Sequence, residues 1–134
     1  MCNFLCDIPQ FTFIKHDISQ PFEIIAERLE EINYIFHLAS PASPNAKSER
    51  SYINHPLETL LANSVGTQHL LDLARAKNAA FLFASTSEVY GNPAISPQPE
   101  SYFGNVNPNG IRSVYDEAKR FGEALTFCYL RTFD

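Results

Sequence analysis

Tyr115 and Lys119 stand four residues apart in the stretch Tyr-Asp-Glu-Ala-Lys. On a helix, residues at that spacing share a face. A free phenol gives up its proton near pH ~10. A neighbouring ammonium favours the phenolate, which makes a base for work near neutral pH. An exposed tyrosine and lysine on a helix surface is the plain alternative, and a bare Tyr-x-x-x-Lys is a weak motif. Thr86-Ser87-Glu88 adds context, because it follows directly on the apolar run Phe81 to Ser85. In open α/β sheets, ligands gather outside the C-terminal ends of the strands. A hydroxyl there can hydrogen-bond a substrate oxygen, and a carboxylate there can move protons. Thr86 and Ser87 could equally make local turn bonds, and Glu88 could simply be solvated.

The elements that must position these residues can be read from breakers and periodicity. Phe11 to Lys15 (FTFIK) is rich in β-formers and reads as a strand, and Glu23 to Glu30 reads as a short helix behind Pro21. Tyr34 to Leu38 (YIFHL) is a short apolar run of the kind buried in parallel sheets. Ala39 to Tyr52 reads as a loop. Pro56 to Lys77 reads as one helix, with Leu57, Leu60, Leu61, Val65 and Leu71 near one face. Phe81 to Ser85 is a further buried strand, and Thr86 to Arg112 carries too many breakers for a long element. Ser113 to about Thr132 is the final helix, and Gly122 inside it implies a close packing contact, since glycine there costs roughly 1 kcal/mol against alanine. The order β-α-β-α-β-α predicts an α/β fold with a parallel sheet covered by helices. Residues 1–10 read as an irregular segment and 11–134 as one domain.

The bulk properties agree. The chain has 134 residues, 45% of them hydrophobic and 19% charged, which fits one globular domain. A net charge of -5 argues against nucleic-acid binding, which needs lysine and arginine to neutralise phosphates. No apolar run is long enough to span a bilayer, and Met1 to Gln10 does not read as a signal peptide. Cys2, Cys6 and Cys128 are odd in number and lack Cys-x-x-Cys spacing, so neither a disulfide framework nor a metal site is expected. A reducing cytoplasm is the expected setting.

Several stretches in order resemble UDP-glucuronate decarboxylases, members of the extended short-chain dehydrogenase/reductases. They are His37-Leu-Ala-Ser-Pro-Ala-Ser-Pro44, Asn63-Ser-Val-Gly-Thr67, Ala84-Ser-Thr-Ser-Glu-Val-Tyr-Gly91, Gly104-Asn-Val-Asn-Pro108 and Gly110 to Arg120. In that family NAD oxidises a UDP-sugar at C4, carbon dioxide leaves, and the hydride returns. The resemblance implies Tyr115 as base, Lys119 as its partner and a ligand of the nicotinamide ribose, and Thr86 as the hydroxyl partner at O4. It implies Ser87 and Glu88 in the decarboxylation step and Asp17 on the adenine. Leu38, Ala39 and Ser40 would run along the cofactor, and Asn63 would be a polar helix residue near the active site. The related 4,6-dehydratases resemble this sequence too, but carry an aspartate where Ser87 stands. A hydroxyl is a far weaker acid than a carboxyl and a poor donor to a leaving group. Epimerases of the superfamily stay open, as does a degenerate, non-catalytic binding or assembly protein. Two departures stand out: Asn45 to His55 does not follow the family pattern, and Ala118 replaces an expected glycine.

The five glycines are Gly66, Gly91, Gly104, Gly110 and Gly122, so the Gly-rich turn that cradles a dinucleotide's pyrophosphate is not in this sequence. The family alignment makes Phe11 to Lys15 a third strand. The expectation is therefore a partial Rossmann-type sheet, lacking the first two strands and the C-terminal substrate domain, in a fragment or truncated paralogue. NAD binding by the isolated chain should be weak or nil. By analogy of fold, a longer parent would form a homodimer through helices like 56–77 and 113–132.

Overall fold

The computed structural model describes residues 8–22, 29 and 31–133. Two strands, β1 (Tyr34–His37) and β2 (Ala80–Phe83), form a parallel pair in register from Tyr34 opposite Ala80 to His37 opposite Phe83. Between them run two helices, α1 (Pro56–Asn63) and α2 (Val65–Lys77). A 3-10 turn over Ser87–Tyr90 follows β2, and α3 (Ser113–Phe133) ends the described chain. The α/β class and the parallel sheet agree with the sequence pattern.

Three readings of elements change, and a fourth falls outside the described residues. Residues 11–17 form no strand and make no ladder to β1. A run of β-formers becomes a strand only where another backbone accepts its hydrogen bonds. Helix 23–30 lies almost wholly outside the described residues. β1 is buried on one face only: Ile35 and His37 point inward, while Tyr34 and Phe36 are exposed. The described helices cover just that side.

The expected helix 56–77 is two helices, because Ser64 leaves helical geometry at φ -110°, ψ -83°. Its hydroxyl and its N–H both turn back to the Leu60 carbonyl, at 2.6 and 3.0 Å. Serine competes with the helix backbone in this way. The inward face is then not the leucine face. Thr59, Asn63, Gly66, Thr67, Leu71 and Ala74 are buried, while Leu57, Leu60 and Leu61 are exposed. α2 ends at Asn78, which takes the left-handed conformation that asparagine tolerates (φ 52°), and the Ala79 N–H closes on the Ala74 carbonyl at 2.8 Å.

α3 packs against α1, α2, β2 and the 3-10 turn. Its buried face is Tyr115, Ala118, Lys119 and Gly122, the i, i+3, i+4, i+7 stripe of one helix side. Gly122 sits against the tip of the Phe83 ring, the close contact its sequence position implied. Farther along, the Tyr129 hydroxyl donates to Asp72 on α2 at 2.9 Å. No described helix is long and apolar enough to cross a membrane.

Candidate active site

The C-terminal end of β2 and the first turns of α3 meet over a small set of polar groups. Lys119 is 4% exposed, and its ammonium donates to the Ala84 carbonyl, 2.7 Å away, just beyond β2. It also lies over the Phe83 ring, 4.7 Å from the centroid, and 5.8 Å from the centroid of Tyr115. Burial pulls the Lys119 ammonium down to about 8. Tyr115 is buried one turn earlier on the same face. The i, i+4 expectation for this pair therefore holds in space.

Thr86 caps the 3-10 turn: its Oγ1 accepts from the Glu88 N–H at 3.3 Å. The hydroxyl hydrogen is not used in that bond, so it can donate elsewhere. Ser87 is exposed. Glu88 is not merely solvated, because its carboxylate pairs with Arg112 at the entry to α3. The same guanidinium lies 3.8 Å from Asp116, a carboxylate 5% exposed. Burial raises the Asp116 carboxyl while Arg112 opposes the shift. Arg120 ties the turn to the following loop, donating to the carbonyls of Val89 and Phe103, both at 2.8 Å. Gly91 lies beside that loop at φ 63°, where a side chain would strike the Asn105 carbonyl.

A second cluster lies under the end of β1. Asn63 donates to the Ser40 hydroxyl and to the Thr59 carbonyl, both at 2.8 Å. Its Oδ1 is buried without a hydrogen-bond donor among the described residues. His37, 1% exposed, bonds through Nε2 to the Ala62 carbonyl at 3.2 Å and to the Thr67 hydroxyl at 3.1 Å. The Thr67 hydroxyl itself donates to the Asn63 carbonyl, so both partners of Nε2 are acceptors and Nε2 carries the proton. That leaves Nδ1 a buried acceptor with no partner among the described residues. Burial, opposed by the bond to the Ala62 carbonyl and helped by the charge of nearby Lys119, lowers His37 to about 4.

Leu38 and Ala39 are exposed and border an apolar cavity of about 710 Å³ beside β1, which Ile18 and Phe22 also line. Asp17 is exposed and outside that lining. Its Oδ1 accepts from the Ser19 N–H and hydroxyl, at 2.9 and 2.8 Å, bonds that lower its carboxyl. Thr86, Ser87, Glu88, Tyr115 and Lys119 thus gather around β2 and α3, Ser40 and Asn63 pair beneath β1, and Asp17 stands apart. No cluster of three potential metal ligands occurs among the described residues.

Residues 5–134 match the family model described as GDP-mannose 4,6 dehydratase. The chain belongs to this family. It is 49% identical over 123 residues to UDP-glucuronic acid decarboxylase 5 of Arabidopsis thaliana, covering 92% of this chain and 33% of that protein. It is 45% identical over 121 residues to UDP-glucuronic acid decarboxylase 1 of Xenopus tropicalis, covering 90% of this chain and 26% of that one. Among solved structures it is similar to a UDP-galactose 4-epimerase, with TM-score 0.67 and 27% identity over 87% of this chain and 36% of that chain. The chain thus spans a third or less of the length of these decarboxylases.

Sequence reasoning missed Tyr52, Arg112 and Arg120. Tyr52, 1% exposed, stacks on Tyr115 with ring centroids 4.8 Å apart and planes 5° from parallel. The spacing of 63 residues between them gave no local signal. Arg112 and Arg120 flank the Tyr-x-x-x-Lys stretch, and that adjacency was the signal available for them.

Proposed function

We propose that this chain is the catalytic section of an NAD-dependent UDP-glucuronate decarboxylase. The observation that carries this reading is Ser87 between Thr86 and Glu88 at the end of β2, in a chain 49% identical to a decarboxylase. Ser87 disfavours the 4,6-dehydratase reading, in which an acid at that place must protonate a leaving hydroxyl.

The residues near Asn63 and Lys119 suit the ribose end of a nicotinamide dinucleotide. Asn63 Oδ1 is a buried acceptor in want of a donor, and Lys119 supplies a charged donor. Leu38, Ala39 and Ser40 border the route, with Asp17 assigned to the adenine end. Bound NAD supplies the acceptor, and later the donor, of the hydride at the sugar's C4. Tyr115 takes the C4 hydroxyl proton, and Thr86 donates its free hydroxyl hydrogen to the same oxygen. Lys119, held by the Ala84 carbonyl, keeps a positive charge beside the phenol as its proton load changes. Once the C5–C6 bond breaks and carbon dioxide leaves, Ser87 and Glu88 manage the proton that C5 gains. Arg112 balances the Glu88 charge during that step. Tyr115 then returns its proton to O4. Cysteine usage favours a reducing cytoplasm, and exposed Leu57, Leu61 and Phe121 favour a homodimer through α1 and α3.

The test places residues 5–134 in the Arabidopsis decarboxylase in place of its matching third, and supplies UDP-glucuronate and NAD. The expected result is carbon dioxide and a UDP-pentose, lost in Tyr115→Phe. A C4-inverted UDP-hexuronate would establish the epimerase reading instead, and a folded but inert chimera the non-catalytic one.

A further inference from the structure

We infer that Tyr52 is a positioning residue for Tyr115, fixing its ring by face-to-face stacking from the loop between β1 and α1. The inference rests on the reading of Tyr115 as the base. The loop is built to present one side chain. The Ser43 N–H reaches the Arg50 carbonyl at 3.0 Å, and the Tyr52 N–H returns to the Ser43 carbonyl at 3.1 Å. The His55 N–H then bonds the Ser51 carbonyl at 3.1 Å, and the Asn54 side chain donates to the Ala46 carbonyl at 2.6 Å. Ser51 and Tyr52 are the buried pair at the loop's base. Tyr115 stands in the first turn of α3, where the helix fixes its backbone but leaves its ring torsions free. The parallel Tyr52 ring removes that freedom from one face. Burial raises the Tyr52 phenol, so Tyr52 keeps its own proton and does not compete as a base.

The experiment compares the parent chain with Tyr52→Phe and Tyr52→Leu, using ring-labelled tyrosine NMR with Tyr115 assigned through Tyr115→Phe, and tetranitromethane nitration read by mass spectrometry. Tyr115 ring signals should be displaced upfield in the parent and in Tyr52→Phe, and should lose that displacement in Tyr52→Leu. Nitration of Tyr115 should rise several-fold only in Tyr52→Leu. A folded Tyr52→Leu chain with parent-like signals and nitration would overturn the inference, as would loss of the displacement in Tyr52→Phe. If Tyr52→Leu does not fold, the parent and Tyr52→Phe signals decide alone. All readings are taken without NAD or sugar, so they test the stacking by itself: lost stacking sinks this inference alone, whereas an inert chimera sinks the reading of Tyr115 as the base on which it rests.

Discussion

Replacing Gly122 with alanine should destabilise the fold, although alanine is the better helix former. A Cβ built on Gly122 lies 2.8 Å from both Cε1 and Cε2 of Phe83 and closer still to Cζ. Carbon atoms rest at about 3.5–4.0 Å, so the ring or the helix must shift by the order of 1 Å. The ring has little room to swing. His37 packs against it at 5.4 Å between centroids, and the Lys119 ammonium rests on its face at 4.7 Å. Overpacking of this kind costs about 1–3 kcal/mol. The exchange of glycine for alanine in a helix interior returns about 1 kcal/mol. An overlap of the order of 1 Å belongs at the upper end of that range, so the net expectation is a loss of about 2 kcal/mol, read as a lower urea midpoint at unchanged slope. Gly66→Ala is the control, since the Cβ there meets only the flexible end of Ile18 and the side chain can give way. Phe83→Leu should rescue Gly122→Ala in a double-mutant cycle, because it removes the atoms that clash. A Gly122→Ala chain as stable as the parent would refute the packing argument.

Two further outcomes follow from the same structure. His37 is lowered to about 4, so the folded state binds fewer protons there than the unfolded chain. Its contribution is complete above the unfolded value near 6.5 and is lost as pH falls towards 4, by about 3 kcal/mol in all. Urea midpoints at pH 7 and pH 4.5 should therefore converge in His37→Gln, and a parent-like pH dependence in that variant would contradict the assignment. Titration calorimetry of the isolated chain with NAD should detect weak binding or none, because the sequence holds no glycine before Gly66 to form a pyrophosphate turn; a micromolar affinity would overturn this.

What could be read from the sequence and what could not divide along the range of the interactions involved. Tyr115 and Lys119 share a face because helix geometry alone relates residues four apart. Gly122 announced a tight contact because its cost to a helix must be offset by something local to it, and Phe83 is that partner. The two strands were visible because short apolar runs between breakers have few other uses, though the expected burial held for only one face of β1 and for no residue of β2. The errors fall where the decision was made elsewhere in the chain. The leucines of 56–71 look like a core stripe, but the kink at Ser64 and the small, polar inner face turn Leu57, Leu60 and Leu61 outward. That inner face has to be thin and polar, since it carries Asn63 and Thr67 to Ser40 and His37. Glu88 could be read as a free carboxylate only while Arg112, 24 residues later, was left out of account. The same holds for Tyr115, whose ring meets Tyr52 from a loop far from its own helix in the sequence. A motif therefore names the reactive group, while the groups that decide its orientation and charge come from segments whose sequence carries no mark of the pairing.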